Sequence, residues 1–361
     1  MQNIINIIVF LLVLGSIIII HELGHFLAAK YFGVYCSQFS IGFGPKIWSK
    51  KGKETEYELR LLPFGGFVAM AGEEDQMDNE DMKDVPIERT LKGIKAYQKV
   101  VIFVAGVFMN FVLAIVVLLG VNFTSGKVLL NTAQIGDVTA NSPAETYGLK
   151  AGDVIQQVDI VESGVTILIS DMNDFYFDKT NTQVQGDTVT MNITVERDHQ
   201  KKVISVEVPF DEQENRFIVG VMYSTRPMTF VESFQYAFAS FGEMSMAIFD
   251  ALAQLVTKFS QTIGQLSGPA GIYQITAEIT ETGQIVYIFN LLAMLSINVG
   301  IFNLMPIPGL DGCQILFAVV EKIIGRELPQ KLKLTLQMIG LAMVLLLMVI
   351  VTYQDIMRIL G

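Results

Sequence analysis

The sequence predicts a multi-pass α-helical membrane protein: about four transmembrane helices, a membrane-associated β-like loop, and an inserted α+β domain. Three observations carry that reading. Apolar residues make up 51% of the chain and charged residues 17%, against a soluble norm near 25% charged. The apolar residues are bunched into four charge-free runs rather than spread evenly. Between the second and third runs lies a long polar, acidic region with the turn signals of a folded domain.

The runs span Ile4 to Ile20, Val100 to Val121, Thr282 to Leu310 (densest from Ile285 to Ile307) and Leu334 to Gln354. About 20 apolar residues at ~1.5 Å rise cross a hydrocarbon core of roughly 30 Å, so each run reads as one span. The first reads as a span rather than a cleaved signal peptide. Met1 to Asn3 hold no Lys or Arg, no small-residue cleavage site follows, and the helical pattern runs on through Ala28 and Ala29. The implied divisions are 1–121 for the first part of the membrane core, 122–223 for the inserted domain, 224–281 for a connecting region and 282–361 for the second part.

Orientation follows from Lys and Arg near the span ends. Lys92, Lys95 and Lys99 precede the second span, and Lys322, Arg326, Lys331 and Lys333 lie between the third and fourth. Both basic loops are therefore expected on the cytoplasmic side, with both termini and the middle domain outside. Cys36 and Cys313 then lie on or near the reducing side, where a structural disulfide is not expected. A formal charge of −11 argues against a sequence-independent nucleic-acid binder, which needs a basic face.

In the middle region, Asn141-Ser142-Pro143-Ala144-Glu145 is followed by Gly148-Leu149-Lys150-Ala151-Gly152-Asp153. Ser142 suits an N-cap, Pro143 the first helical position and Gly148 the helix stop. Thr188 to Val195 alternates like a half-buried strand, Arg197 to Gln200 turns, and Val203 to Val208 returns. The pattern resembles a PDZ domain of the bacterial permuted type, over about Asn122 to Tyr223. That resemblance implies uptake of a peptide at a sheet edge; a spacer or steric filter is the competing role. Beyond it, Phe234, Phe238, Phe241, Ile248, Phe249, Leu252, Val256 and Phe259 recur at helical spacing. They mark an amphipathic helix that either lies on the membrane surface or packs under the inserted domain.

The chemistry is concentrated in the spans. Two of the three histidines, His21 and His25, stand at i and i+4, one turn apart on one helix face. That arrangement suits two ligands of one zinc ion, and Glu22 between them is placed to act as general base. Ionisable residues inside a membrane helix are costly and functional by default. The competing reading is a helix end whose polar residues reach the interface.

Catalytic zinc takes a third protein ligand and keeps one position open. Asp311 is the candidate, after Pro306-Ile307-Pro308-Gly309-Leu310. Two prolines two apart break a helix, and the break puts Asp311 at the cytoplasmic end of the third span, on the side of His21. Carboxylates between Glu54 and Glu88 compete, since their loop can fold back; taken alone, Asp311 is also the sort of carboxylate that merely ends a span.

His21-Glu22-Leu23-Gly24-His25, the Asn303 to Gly312 segment and the inserted domain together resemble the site-2 protease family of intramembrane zinc metalloproteases. Among these the chain is most similar to bacterial RIP metalloproteases with a single PDZ domain. Shorter stretches agree, among them Pro63 to Val68, Ala105 to Phe111 and Ser267 to Ile272. Cys313 stands where the family commonly has a second glycine, and Phe67 where it commonly has a tyrosine. The resemblance implies Zn2+ held by His21, His25 and Asp311, Glu22 as general base, and Asn303 as a polar group near the substrate. It implies regulated intramembrane proteolysis of single-span membrane proteins in the bacterial cytoplasmic membrane, such as trimmed anti-sigma factors or remnant signal peptides. A peptide or trimmed ectodomain end would meet the PDZ domain outside.

Tyr57 to Met70 is too short for a full span and carries a Gly65-Gly66 turn signal. In the family this region is a re-entrant β-like loop whose edge, with Gly65, Gly66 and Phe67, would hold substrate in extended form; an ordinary cytoplasmic hairpin is the alternative. Asn110, inside the second span, is either a substrate- or helix-contacting polar group or interhelical glue. Two other functions compete: an inactive membrane scaffold presenting a PDZ domain, which needs none of the His, Glu and Asp residues, and a metal transporter. A transporter is expected to show repeated halves with matched broken helices, and the sequence shows no such repeat.

Overall fold

The computed structural model describes residues 2–73, 82, 84–130, 132–258, 264 and 267–360. Contacts divide the chain into two units, Met1–Thr124 with Val231–Gly361, and Ser125–Phe230. Four helices are long and apolar enough to cross a membrane.

The first helix, α1, spans Gln2–Tyr31. At ~1.5 Å per residue its 30 residues extend about 45 Å, so it continues well past the charge-free run. Nothing from His21 to Tyr31 breaks it, and the chain turns only where Gly33 takes a positive φ of 79°.

Next come β1 (Cys36–Lys51) and β2 (Glu56–Met70), an antiparallel pair with many register shifts. The shifts arise because β1 is paired twice. Gln38 to Ile41 meets Glu56 to Leu59 on one side and Gly66 to Ala69 on the other. Gly65 and Gly66 therefore lie within β2, not at the turn expected of them; the reversal falls between Lys51 and Glu56, where Gly52 N–H donates to the Thr55 carbonyl. A Gly-Gly pair signals loose backbone, and here the looseness accommodates a bend inside a strand. Among the described residues, Phe67 to Met70 is paired on one side only. After a 3-10 turn at Ile87–Arg89, α2 runs from Ala96 to Ser125.

The middle unit is a sheet domain. In chain order it holds β3 (Lys127–Leu129), β4 (Ile135–Val138), α3 (Pro143–Thr146), β5 (Val154–Ile160) and β6 (Thr166–Leu168). It continues with β7 (Thr188–Arg197), β8 (Gln200–Asp211), β9 (Arg216–Phe217), β10 (Val221–Tyr223) and β11 (Thr225–Pro227). Five strands form one sheet in the order β6-β5-β7-β8-β9, beside the pairs β10-β4 and β11-β3. The cap expected of Ser142 is present: its hydroxyl accepts from Glu145 N–H, and Glu145 returns by accepting from Asn141 N–H at 2.6 Å. The β7–β8 reversal places Asp198 and His199 at φ 53° and 59°, the pattern of a tight hairpin turn. Val189, Met191, Ile193 and Val195 of β7 and Val206 and Val208 of β8 point into a core with Ile155, Val158 and Phe177. Arg197 grips buried Asp153 with two bonds of 2.6 and 2.7 Å. Burial alone raises the pKa of Asp153, but the Arg197 guanidinium together with the Lys150 N–H outweighs it and holds the carboxyl below its ordinary range.

Helix α4 (Phe230–Thr257) is the amphipathic helix expected from the phenylalanine spacing; Phe259 lies outside the described residues. Part of its apolar face takes a third option. Ala237, Phe241, Ile248 and Leu252 pack with Ala114 and Leu118 of α2, and the Phe111 and Phe241 rings meet edge to face at 5.5 Å. Phe234, Phe238 and Phe249 stay exposed. Helical periodicity shows that a face needs cover but not what covers it.

Then follow α5 (Pro269–Glu281), α6 (Ile285–Leu304), α7 (Asp311–Ile324) and α8 (Gln330–Leu360). Helix α6 packs on α1 through Leu291, Leu292 and Leu295 against Val13 and Ile17. It stops at Leu304 because Met305, preceding a proline, adopts extended geometry (φ −67°, ψ 142°). Continuing through Pro306 would cost about 3 kcal/mol. The segment beyond is not the plain loop expected between the third and fourth spans: Asp311 opens the 14-residue α7, closed by Gly325 in the left-handed region. Near the end of α8, the buried Asp355 carboxylate accepts from Gly268 and Gly271 N–H at 2.9 and 2.8 Å, tying α8 to the start of α5.

Candidate metal centre

Three elements of the membrane unit meet at one point. Helix α1 contributes His21, Glu22 and His25; the start of α7 contributes Asp311; and α2 lies behind the imidazoles. His21 Nε2 and His25 Nε2 are 3.1 Å apart. Asp311 Oδ2 lies 3.1 Å from the first and 3.3 Å from the second. A tetrahedral ion with bonds of ~2.0–2.1 Å has ligand atoms roughly 3.3 Å apart. The three donors thus already stand at nearly the spacing of one face of such a polyhedron, with the fourth corner left over. Two further facts fit a cation. Asp311 Oδ2 is a buried oxygen whose polar neighbours within 3.3 Å are the two imidazole Nε2 atoms. His25 Nδ1 must carry a proton, because it donates to the Ile102 carbonyl at 2.8 Å, so in the neutral ring the lone pair lies on Nε2.

Asp311 reaches this point because of the proline break. The chain leaves α6 at Leu304, passes Pro306 and Pro308, and re-enters a helix seven residues later. Gly312 lets α7 start hard against the end of α6: a Cβ there would strike the carbonyls of Leu304 and Met305. Of the rival carboxylates between Glu54 and Glu88, Glu74, Asp75, Asp78, Glu80 and Asp81 lie outside the described residues, and Glu73 lines the cavity at the donors without joining their close triangle. Glu54 is engaged by Lys30 and Arg89.

Glu22 is half-buried in the same cavity, and its carboxylate accepts from the Val68 N–H of β2. Phe67 and Val68 of β2 and Asn303, in the last turn of α6, line this cavity with the three donors. Gly66 lies beside Glu22, since a Cβ there would be 3.4 Å from Glu22 Cγ. Gly65 sits one residue further out, at φ 90° against the Phe43 ring. Asn110 is placed differently. It is fully buried on the other side of the His21 ring, with its Nδ2 3.2 Å from His21 Nδ1.

Among the residues that sequence reading passed over, Met70, Phe103, Gly309 and Leu310 line the cavity, while Ile102 and Gly106 sit behind the imidazoles. Ile102 contributes only a backbone oxygen, which no side-chain motif reveals. Gly106 shows a weak signal: with Asn110 it forms a pair four apart, matching the His21 and His25 spacing on α1. A Cβ at Gly106 would come within 2.6 Å of His25 Cε1 and 2.9 Å of His21 Cε1. Gly106→Ala is therefore expected to displace both rings and weaken zinc binding by about 10- to 100-fold, the range seen when ligand orientation is disturbed. Competition with a fluorescent zinc chelator in detergent checks this; unchanged affinity would show that α2 yields without moving the imidazoles.

A family model described as peptidase family M50 matches residues 9–347. The regulator of sigma-W protease RasP of Bacillus subtilis (strain 168) is 31% identical over 428 aligned positions, covering 98% of each chain. A putative zinc metalloprotease of Clostridium perfringens is 32% identical, over 96% of this chain and 97% of its own. Another, of Fusobacterium nucleatum, is 32% identical over 96% of each.

Proposed function

Since the chain belongs to peptidase family M50, as a zinc-dependent membrane metalloendopeptidase of the site-2 protease type, we propose that it cuts single-span membrane proteins after another protease has trimmed their outer part. The observation that carries this reading is the place of the donor set. Asp311, from the start of α7, converges with His21 and His25 beside Glu22 on a helix long and apolar enough to cross a membrane, against a strand paired on one side only among the described residues.

Each residue has a role in this proposal. His21, His25 and Asp311 hold the ion. Zinc, when bound, supplies Lewis-acid polarisation of the scissile carbonyl and acidifies water. The Glu22 carboxylate takes a proton from the attacking water and passes it to the leaving amine. Its hydrogen bond from Val68 N–H keeps it pointed into the cavity. A transmembrane helix hides its peptide bonds inside its own hydrogen-bond ladder, so the substrate must unwind before cleavage. The strand edge of Phe67 to Met70, apart from the Val68 N–H held by Glu22, offers the unwound segment backbone partners. Asn303 offers it a polar side chain.

In this reading both termini and the Ser125–Phe230 unit face outward, and the basic loops around Lys95 and Lys331 face the cytoplasm. The outward unit serves as a PDZ domain that admits or binds the trimmed end. The name of the Bacillus subtilis relative, a regulator of sigma-W protease, makes a trimmed anti-sigma factor the substrate to try first. Purified enzyme reconstituted in liposomes should cut such a protein within its span when the ectodomain is trimmed, at least tenfold faster than when it is intact. Equal rates on both forms would refute the gate, and failure to cut any membrane span would refute the substrate class.

A further inference from the structure

We infer that Asn110 is a positioning residue for His21, setting the tautomer and tilt of that imidazole rather than contacting substrate. The assignment rests on the reading of His21 as a zinc ligand. Helix α2 runs antiparallel to α1 here, and residues 102, 106 and 110 form one stripe facing His25 and His21. The stripe treats the two imidazoles alike. Ile102 presents its carbonyl to His25 Nδ1 at 2.8 Å. One turn along, Gly106 leaves room for both rings. One turn further, Asn110 presents its side-chain amide to His21 Nδ1 at 3.2 Å. A backbone carbonyl thus meets one ring, and a side-chain amide meets the other.

Asn110 has two amide ends, and they serve opposite tautomers of His21. With Nδ2 toward the ring, Nδ1 accepts and Nε2 carries the proton, which then faces Asp311 Oδ2 at 3.1 Å. A ligand imidazole needs the reverse, a bare Nε2 and a protonated Nδ1. A half-turn of the amide brings Oδ1 onto Nδ1–H, and Oδ1 is a buried atom that otherwise lacks a donor. Asn110 thus accommodates both the metal-free and the metal-ready ring without moving its backbone. That backbone is pinned from the far side, where Ser296 of α6 donates its hydroxyl to the Asn110 carbonyl at 2.8 Å. With no exposed surface, Asn110 offers substrate nothing to touch. Simple interhelical glue would account for the Ser296 bond, but not for an amide aimed at the ring nitrogen opposite the donor set.

The test compares Asn110→Leu with Asn110→Asp. The leucine is close in volume and accepts no proton; the aspartate accepts from Nδ1–H as Oδ1 does. Zinc affinity is measured by chelator competition, and the geometry of the site by the visible absorption of the cobalt-loaded proteins. The expected result is a 10- to 100-fold loss of zinc affinity and an altered cobalt spectrum in Asn110→Leu, both restored in Asn110→Asp. KM for a membrane substrate should stay within twofold in the metal-saturated variants. Wild-type affinity and spectrum in the leucine variant, or a raised KM with metal binding intact, would overturn the assignment. If the leucine variant fails to fold, the aspartate variant decides alone: zinc bound at least as tightly as by wild type supports the role, and weaker binding rejects it. A wild-type protein that binds no zinc would instead overturn the metal reading itself, so the two failures are distinguishable.

Discussion

Glu22→Gln is expected to abolish peptide-bond cleavage while leaving zinc in place. The side chain keeps its length and can still accept the Val68 N–H bond, so the loop against α1 should not shift. What it loses is the ability to take up and return a proton. General-base groups contribute about 10²- to 10⁴-fold, and here the same carboxylate is assigned both proton transfers, so the upper end is expected. The measurement pairs single-turnover cleavage of a reconstituted membrane substrate with zinc stoichiometry on the same sample. A variant that holds its zinc and cuts at near wild-type rate would remove Glu22 from the chemistry. A variant that loses zinc would make it a ligand, contrary to the geometry, in which the close donor triangle is formed by His21, His25 and Asp311.

Asp311→Ala is expected to lose both metal and activity. Of the three donors, Asp311 alone carries a formal charge, and its Oδ2 faces both imidazole nitrogens within 3.3 Å. Removing it leaves two neutral ligands, and affinity should fall by more than the ~100-fold that outer-shell changes produce. Dialysis of the purified variant against a mild chelator, with His21→Ala alongside, measures this directly. Zinc retained by Asp311→Ala but not by His21→Ala would place the third ligand elsewhere and turn attention to the acidic residues between Glu73 and Asp84. Asp311→Glu is a useful companion. Its extra methylene must fit where Gly312 already lets α7 press against the Leu304 and Met305 carbonyls, so partial binding with poor turnover is expected.

The membrane core was legible because its signals are local. A run without charge from Ile4 to Ile20 reports a span whatever its neighbours are, and α1 through His25 could be written down from periodicity and spacing. The same holds for β7 and β8, whose alternation and tight turn are short-range properties. Signals that depend on a partner are less legible in the sequence. Gly65-Gly66 indicates backbone freedom, but whether that freedom makes a turn or a bent strand depended on β1 pairing on both its edges. The phenylalanines of α4 showed a face needing cover, and only packing chose α2 and α6 to cover part of it. A 14-residue amphipathic α7 was masked by the expectation that everything between two spans is loop.

By itself the sequence determined which atoms are available for chemistry: two imidazoles one helical turn apart, a carboxylate between them, and a proline-broken segment carrying another, about 290 positions away. The tertiary structure decided where those atoms stand. Only when α6 and α1 pack, and the chain turns at Met305, does Asp311 Oδ2 come within 3.3 Å of both Nε2 atoms. Only when α2 lies against α1 do Ile102 and Asn110 reach the opposite ring nitrogens. The physical reason is range. Helix propensity, charge exclusion and proline breaks act over a few residues and are written along the chain. A coordination polyhedron instead needs sub-ångström placement of groups far apart in sequence, and that is set by interlocking side chains of helices packed at contact distance.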